Sequence, residues 1–212
     1  MLETLDLECT RGDRVLFSGL ALNVEPGTLL RVAGPNGTGK TSLLRLLCGL
    51  LQPTAGDIRW GGEPIRRLRE DYWRNLVYVG HLNGVKDDLT PLENLLASAA
   101  IAGLEPDAAA GRAALDAVGL SGFEDSLVRF LSQGQRRRVA LARLFLSGRV
   151  PLWILDEPFT ALDAPGVAAL SALATRHLAG GNMIVLTTHQ EVPVEAARIE
   201  VLDLGRGCGG NR

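Results

Sequence analysis

Apolar positions along this 212-residue chain recur first with a period of two and later with a period near 3.6. Leu5, Leu7 and Cys9 alternate with polar neighbours, which predicts a strand over 2–9. Residues 20–24 and 28–33 read as two further strands joined by a Pro26-Gly27 turn. An apolar helical run follows over 43–51, then short strands over 57–60 and 75–79. From 90 to 119 the period is helical and alanine-rich, with breaks near Gly103-Leu104 and at Gly119, and a second helix starts at Ser132. The runs 151–156 and 183–188 are continuously apolar, as strands buried on both faces of a parallel sheet are. A helix over 164–179 separates them, and 198–204 reads as the last strand. No repeat is visible. Mixed strands, a helical middle and then alternation predict an α/β core with a helical insertion at about 87–135.

Composition supports one ample domain: hydrophobic residues make up 46% and charged residues 22%. A net charge of −2 offers no basic excess for nucleic acid, so none is expected as a partner. The lysines are Lys40 and Lys86 alone, against a background of arginine, which singles out Lys40. Cys9, Cys48 and Cys208 fit no zinc or redox spacing and suggest a reducing compartment. Cys208 lies in a glycine-rich tail. The N-terminus carries acids among its apolar residues, unlike a signal peptide. The longest apolar stretches, such as 95–104, are too short and alanine-rich to span a bilayer. Alone, the chain is expected to be soluble and cytoplasmic, with any membrane role requiring a partner.

Gly34-Pro35-Asn36-Gly37-Thr38-Gly39-Lys40-Thr41 matches G-x-x-x-x-G-K-[ST], with Ser42 next, between a predicted strand and a predicted helix. Gly37 and Gly39 let the backbone wrap a phosphate where side chains would clash. Consecutive N–H groups and the helix N-terminus then face the anion. Lys40 adds a point charge for the terminal phosphates, and the Thr41 hydroxyl is a natural Mg²⁺ ligand. The pattern predicts binding of a nucleoside triphosphate.

The apolar strand before Asp156-Glu157 ends in two acids. In such sheets that strand end sits beside the phosphate loop. Asp156 is expected to hold Mg²⁺ through water, and Glu157 to polarise the attacking water as general base. The strand over 183–188 ends at His189, a third group placed to reach the γ-phosphate or to position Glu157. Ser132 and Gln135 form an S-x-x-Q capping box, and a Ser-x-Gly at a helix start is also an anion site.

Leu131-Ser132-Gln133-Gly134-Gln135 resembles the signature of the ABC-transporter ATPases. Phosphate loop, signature, Asp-Glu pair and histidine follow that family's order over nearly the whole chain, and Ala161-Leu162-Asp163 resembles its D-loop. The resemblance implies a P-loop NTPase core of mostly parallel sheet flanked by helices, with an N-terminal antiparallel β subdomain and an inserted α-helical subdomain. It gives a single ABC ATPase domain over 1–212, with the core at 1–86 and 136–212 and the helical subdomain at about 87–135. It implies ATP and Mg²⁺ as ligands, and a head-to-tail homodimer. In that dimer Ser132, Gln133, Gly134 and Gln135 close on ATP held by the other subunit's phosphate loop. Arg136, Arg137 and Arg138 are expected on a solvated or interfacial helix face, and His177 on a helix surface.

A narrower resemblance lies in 151–163, 186–190 and 80–86: these stretches look like the ATP-binding subunits of cytochrome c maturation, the CcmA-type heme-exporter subfamily. That implies a peripheral place at the cytoplasmic face of the inner membrane. The implied partners are an integral subunit of the CcmB type, with CcmC and CcmD, and the implied work is release of the heme-loaded chaperone CcmE. Nothing in the sequence suggests that this subunit binds heme itself. Two positions depart from the family. Arg11 stands where an aromatic normally stacks on adenine; it either stacks by its guanidinium plane or is an exposed arginine in an Arg-Gly-Asp turn. His81, in Gly80-His81-Leu82, stands where the Q-loop glutamine is expected, with a nucleotide-sensing and a purely structural role both open. The alternatives are the ATPase of another ABC transporter, or a membrane-independent ABC ATPase such as an iron–sulfur assembly type. A non-hydrolysing regulatory module is disfavoured by Glu157 and His189. A chromosome-type ATPase would need a coiled coil between phosphate loop and signature, and a GTPase an N/T-K-x-D motif that neither lysine supplies.

Overall fold

The computed structural model describes residues 1–160, 162–188 and 193–206. Two sheets organise the chain. The first is antiparallel: β1 (Leu2–Arg11) pairs on one side with β2 (Arg14–Val24) and on the other with β4 (Ala55–Trp60), which pairs in turn with the two-residue β5 (Glu63–Pro64). β2 begins well before the expected residue 20, because the hairpin with β1 extends to Arg11 opposite Arg14. The second sheet is parallel, in the order β6 (Leu76–Val79), β7 (Leu152–Asp156), β8 (Met183–Thr187), β3 (Thr28–Ala33), β9 (Arg198–Asp203). β7 and β8 are buried at every position, which explains their unbroken apolar sequence.

Between the sheets runs α1 (Lys40–Leu47), with Leu43, Leu44, Leu46 and Leu47 fully buried. Each is worth about 1.5–3 kcal/mol of transfer free energy. The expected helix over 43–51 is shifted: it starts at Lys40 and stops at Leu47. Gly49, at φ 70°, bonds its N–H to Leu46, and Leu50 N–H reaches back to Arg45, a closure that ends the helix. Two four-residue helices that carry no clear sequence period, α2 (Ile65–Leu68) and α3 (Glu70–Trp73), precede β6.

The predicted helical middle divides where glycine interrupts it, into α4 (Pro91–Ile101) and α5 (Ala108–Ala117). Thr90 and Glu93 form a capping box at the start of α4, with Pro91 at the first helical position. α4 and α5 pack on α6 (Gln133–Leu146) around a core of their own, including Leu95, Leu115, Val128 and Val139. α6 is shared: Ala140, Leu141 and Leu144 face Val77, Trp153 and Leu155 of the parallel sheet. α7 (Ala164–Ala179) covers the same side of that sheet.

His177, expected on a helix surface, is buried. Its imidazole lies 3.7 Å from the Trp153 ring, centroid to centroid, with 14° between the planes. Burial pushes its pKa down to about 4, partly opposed by a backbone hydrogen bond with Met183. Cys9 and Cys48 are buried free thiols; Cys208 lies outside the described residues.

Candidate functional site

The strand order puts the C-terminal ends of β7, β8 and β3 side by side. β3 runs into the loop 34–39, which turns through positive φ at Gly34, Gly37 and Gly39 before α1. Gly39, at φ 100°, is the N-cap of α1 and contributes no side-chain cap, so first-turn amides face the cavity. A Cβ at Gly39 would also stand 3.1 Å from Leu16 Cβ. Lys40 Nζ donates to the carbonyls of Gly34 at 2.7 Å and Pro35 at 3.1 Å, and Thr38 Oγ1 donates to Pro35 at 2.9 Å. The cavity, about 490 Å³, is lined from this loop by Asn36, Gly37, Gly39, Lys40, Thr41 and Ser42. Gly34, Pro35 and Thr38 do not line it and are tied to the loop by these hydrogen bonds.

The opposite wall is built by His81, Asp156, Glu157 and Thr160, with Leu16 of β2 at the rim. Asp156 is 5% exposed and its two carboxylate oxygens are separately held. Thr41 Oγ1 donates to Oδ2 at 2.9 Å, and Thr187 Oγ1 donates to Oδ1 at 2.7 Å. Thr187 can do so because the register sets it directly beside Asp156 on the neighbouring strand. Its oxygen also accepts the Glu157 N–H at 2.9 Å. Glu157 has φ 49°, a left-handed conformation that costs a non-glycine residue on the order of 1–3 kcal/mol.

The expectation for the three arginines of α6 needs correction. Arg137 is buried, and its guanidinium donates to the carbonyls of Gly80, Asp156 and Glu157. Burial lowers its pKa, and the nearby charges of Asp156, Tyr78 and Glu157 oppose that shift. Arg136 binds Asp87 at 2.9 Å and the carbonyls of Leu131 and Arg129. Arg138 pairs with Asp163 at 3.6 Å. The helical period turns Arg137 inward, and its two neighbours lie across the loops on either side.

The remaining sequence candidates fall in three places. Ser132, Gln133 and Gly134 are exposed at the start of α6, where Ser132 and Gln135 form the expected reciprocal cap at 3.2 and 2.9 Å. None of Ser132 to Gln135 lines the cavity of its own chain. Asp163 caps α7 by accepting the Gly166 N–H at 3.0 Å. Arg11 stands exposed at the end of β1, outside the cavity lining. His189, with Ala161, lies outside the described residues. Arg137, Thr187 and Thr160 were not read from the sequence as site residues. The only sequence signals for them were an inward helical phase and a polar residue ending an apolar strand.

The donors present suit Mg²⁺. They are a hydroxyl and a carboxylate, and among the described residues no group of three or more His, Cys, Asp or Glu side chains gathers to hold a metal. Mg²⁺ is held typically by one or two protein oxygens, with phosphate and water completing its shell.

Residues 17–160 match the family model described as ABC transporter. The chain belongs to the ABC transporter family. It is accordingly an ATP-hydrolysing enzyme and binds nucleotide. The cytochrome c biogenesis ATP-binding export protein CcmA of Aromatoleum aromaticum is 56% identical over 204 residues, covering 96% of this chain and 95% of that one. The protein of the same name from Nitrosospira multiformis is 55% identical over 96% of this chain and 98% of its own. That of Salmonella typhi is 49% identical over 99% and 100%. Among solved structures, an ATP-binding subunit of an ABC transporter superposes with a TM-score of 0.78 at 29% identity, covering 89% of this chain and 79% of that one. An ATP-binding cassette solved as a dimer in a post-hydrolysis state, with ADP and Pi, gives 0.81 at 23% identity over 97% and 95%, a likeness of fold. The P-loop core of mostly parallel sheet, the N-terminal antiparallel sheet and the helical insertion are the architecture these chains share. Among the described residues no helix is long and apolar enough to cross a membrane.

Proposed function

We propose that this chain is the ATPase subunit of a membrane ABC complex in c-type cytochrome biogenesis. The observation that carries the catalytic part is the linkage of phosphate loop to strand end: Thr41, Asp156 and Thr187 form one hydrogen-bond chain, with Glu157 next to it at the cavity wall. The 490 Å³ cavity takes the triphosphate against the amides of 37–41, with Lys40 turning from its loop carbonyls to the terminal phosphates. Thr41 and Asp156 would hold Mg²⁺, which when bound neutralises the charge that develops on the β and γ oxygens. Glu157 takes a proton from the water that attacks the γ-phosphorus, the bond to the β-phosphate oxygen breaks, and ADP and phosphate leave. His189 is assigned to the γ-phosphate side of this site. His81 lines the cavity and takes the Q-loop position between core and helical arm. Arg11 is the candidate for base contact.

Residues 87–135 form the helical subdomain in this reading, and 1–86 with 136–212 the core of one ABC ATPase domain. Ser132, Gln133 and Gly134 are exposed and Gln135 is half-buried, and none lines its own cavity, which suits a head-to-tail homodimer in which each signature faces the other copy's nucleotide. Asp163 lies at the same seam. The relatives' names, cytochrome c biogenesis ATP-binding export proteins, support the assignment to that export system. The partners that go with this reading are a CcmB-type integral subunit with CcmC and CcmD, met at the cytoplasmic face of the inner membrane, and the work is release of the heme-loaded chaperone CcmE. Replacement Glu157→Gln should abolish turnover and accumulate an ATP-bound dimer, read by steady-state hydrolysis and size-exclusion chromatography. Turnover near wild type would refute the base assignment. Affinity purification from membranes should bring down a CcmB-type protein; a complex of soluble proteins alone would refute the coupling.

A further inference from the structure

The Glu157 peptide sits in a conformation its own backbone disfavours, at φ 49°, and is gripped on both sides. Its N–H is accepted by Thr187 Oγ1 at 2.9 Å, and its carbonyl accepts from Arg137 Nη2 at 3.4 Å and Thr160 Oγ1 at 3.0 Å. Arg137 Nη2 also donates to the carbonyl of Asp156, so one amino group spans both peptides of the strand end. The other amino group, Nη1, donates to the carbonyl of Gly80, beside His81. Thr187 and Arg137 are 0% and 8% exposed, so both grips are made away from bulk solvent. A side chain leaving a left-handed residue points elsewhere than one leaving a strand, so whatever fixes φ at Glu157 sets the direction in which its side chain leaves the backbone.

We propose that Arg137 and Thr187 are positioning residues that hold Glu157 in its hydrolytic orientation, Arg137 from the helix behind the signature and Thr187 from the adjacent strand. This rests on Glu157 being the base. Because α6 begins at the signature, the same guanidinium ties the helix whose start is assigned above to a second copy both to the Gly80–His81 turn and to the Glu157 peptide. A planar five-donor fork is what spans three carbonyls; an ammonium at the end of a lysine stem has neither the shape nor the reach to hold them together.

The test uses the purified full-length chain, with steady-state hydrolysis at saturating ATP and direct binding of a non-hydrolysable ATP analogue. Arg137→Lys and Thr187→Val should each lower kcat on the order of 10- to 100-fold, the size of effect a small misplacement of a reacting group produces. Analogue affinity should stay within about threefold, because neither residue touches the phosphate loop. Thr187→Ser, which keeps the hydroxyl, should retain most of the activity. The loss in Thr187→Val should persist at high Mg²⁺; recovery with added Mg²⁺ would trace it to Asp156 and overturn the proposal. Parallel loss of kcat and affinity would overturn it too, since that is a general loosening of the site. Should Arg137→Lys not fold, Arg137→Gln takes its place with the same expected loss of kcat, and the Thr187→Val and Thr187→Ser pair decides the strand side. Glu157→Gln at wild-type rate removes the base assignment itself. An inactive Glu157→Gln beside fully active Arg137→Lys and Thr187→Val leaves the base in place and removes only the brace.

Discussion

His177 sets a pH dependence of stability that can be worked out in advance. The imidazole is stacked on Trp153 inside the α7–sheet interface, and burial pushes its pKa from 6.5 down to about 4. Between those values the unfolded chain binds a proton that the folded chain refuses, so stability falls as pH drops through that window. Above pH 6.5 both states are neutral and the term vanishes. Below about 4 both are charged and the loss is complete. The gap from 6.5 to about 4, at roughly 1.4 kcal/mol per pH unit, makes the full loss about 3.5 kcal/mol. Linkage places about 1.4 kcal/mol of it by pH 5.5 and about 2.5 kcal/mol by pH 4.5. Carboxylates titrate in the same range, so the measurement is a difference. Urea unfolding, followed by tryptophan fluorescence at pH 7.5, 6.5, 5.5 and 4.5, is compared between wild type and His177→Phe. Phenylalanine keeps the stack on Trp153 and cannot titrate. The stability difference between the two proteins should shift towards the variant by these amounts as pH falls. Parallel pH profiles would show that His177 accepts its proton equally well in the fold, and the burial reasoning would fail.

Three further outcomes follow from the geometry. Gly39→Ala should cut nucleotide affinity by about tenfold or more and destabilise the chain by more than about 1 kcal/mol, since φ is 100° and the new Cβ stands 3.1 Å from Leu16; analogue binding and denaturation check both. Thr41→Val removes the hydroxyl that donates to Asp156 at 2.9 Å, so the Mg²⁺ concentration for half-maximal hydrolysis should rise severalfold, by about fivefold or more, while melting temperature changes little. Asn94 is 5% exposed, and its amide holds both the N–H and the carbonyl of Lys86, at 2.7 and 2.9 Å. Asn94→Ala should cost about 1–3 kcal/mol in urea unfolding and speed amide exchange across 81–89, the loop that leads from His81 to the helical arm.

Local geometry was legible where a residue type is demanded by backbone shape or by a local spacing. The phosphate loop needs glycine at 37 and 39, and both sit at positive φ; the S-x-x-Q spacing needs a reciprocal cap, and Ser132 and Gln135 make it. Strands β7 and β8 were legible because burial on both faces leaves no polar position until the end. What could not be read was register between distant strands. Thr187 looked like one more strand residue until pairing set it beside Asp156, 31 positions away in sequence. The end of α1 was read late because Leu50 and Leu51 continue an apolar run, although Gly49 already supplies the left-handed stop.

His177 and Arg137 show a different kind of miss, and it has a lesson in it. Leu170, Ala174, His177 and Leu178 share one buried face of α7, and Arg137 stands three, four and seven residues before Ala140, Leu141 and Leu144 on the buried face of α6. The helical period placed both side chains inward; residue type argued for the surface, and packing followed the period. An inward polar group must then find partners or change its charge state. His177 gives up its proton. Arg137 keeps its charge and takes the carbonyls of Gly80, Asp156 and Glu157. Those carbonyls belong to two strand ends that the sheet orders side by side, and both strand ends wall the nucleotide cavity. A charged residue in the wrong place for its type is therefore a pointer to the site, and helical phase is the signal that would have found it.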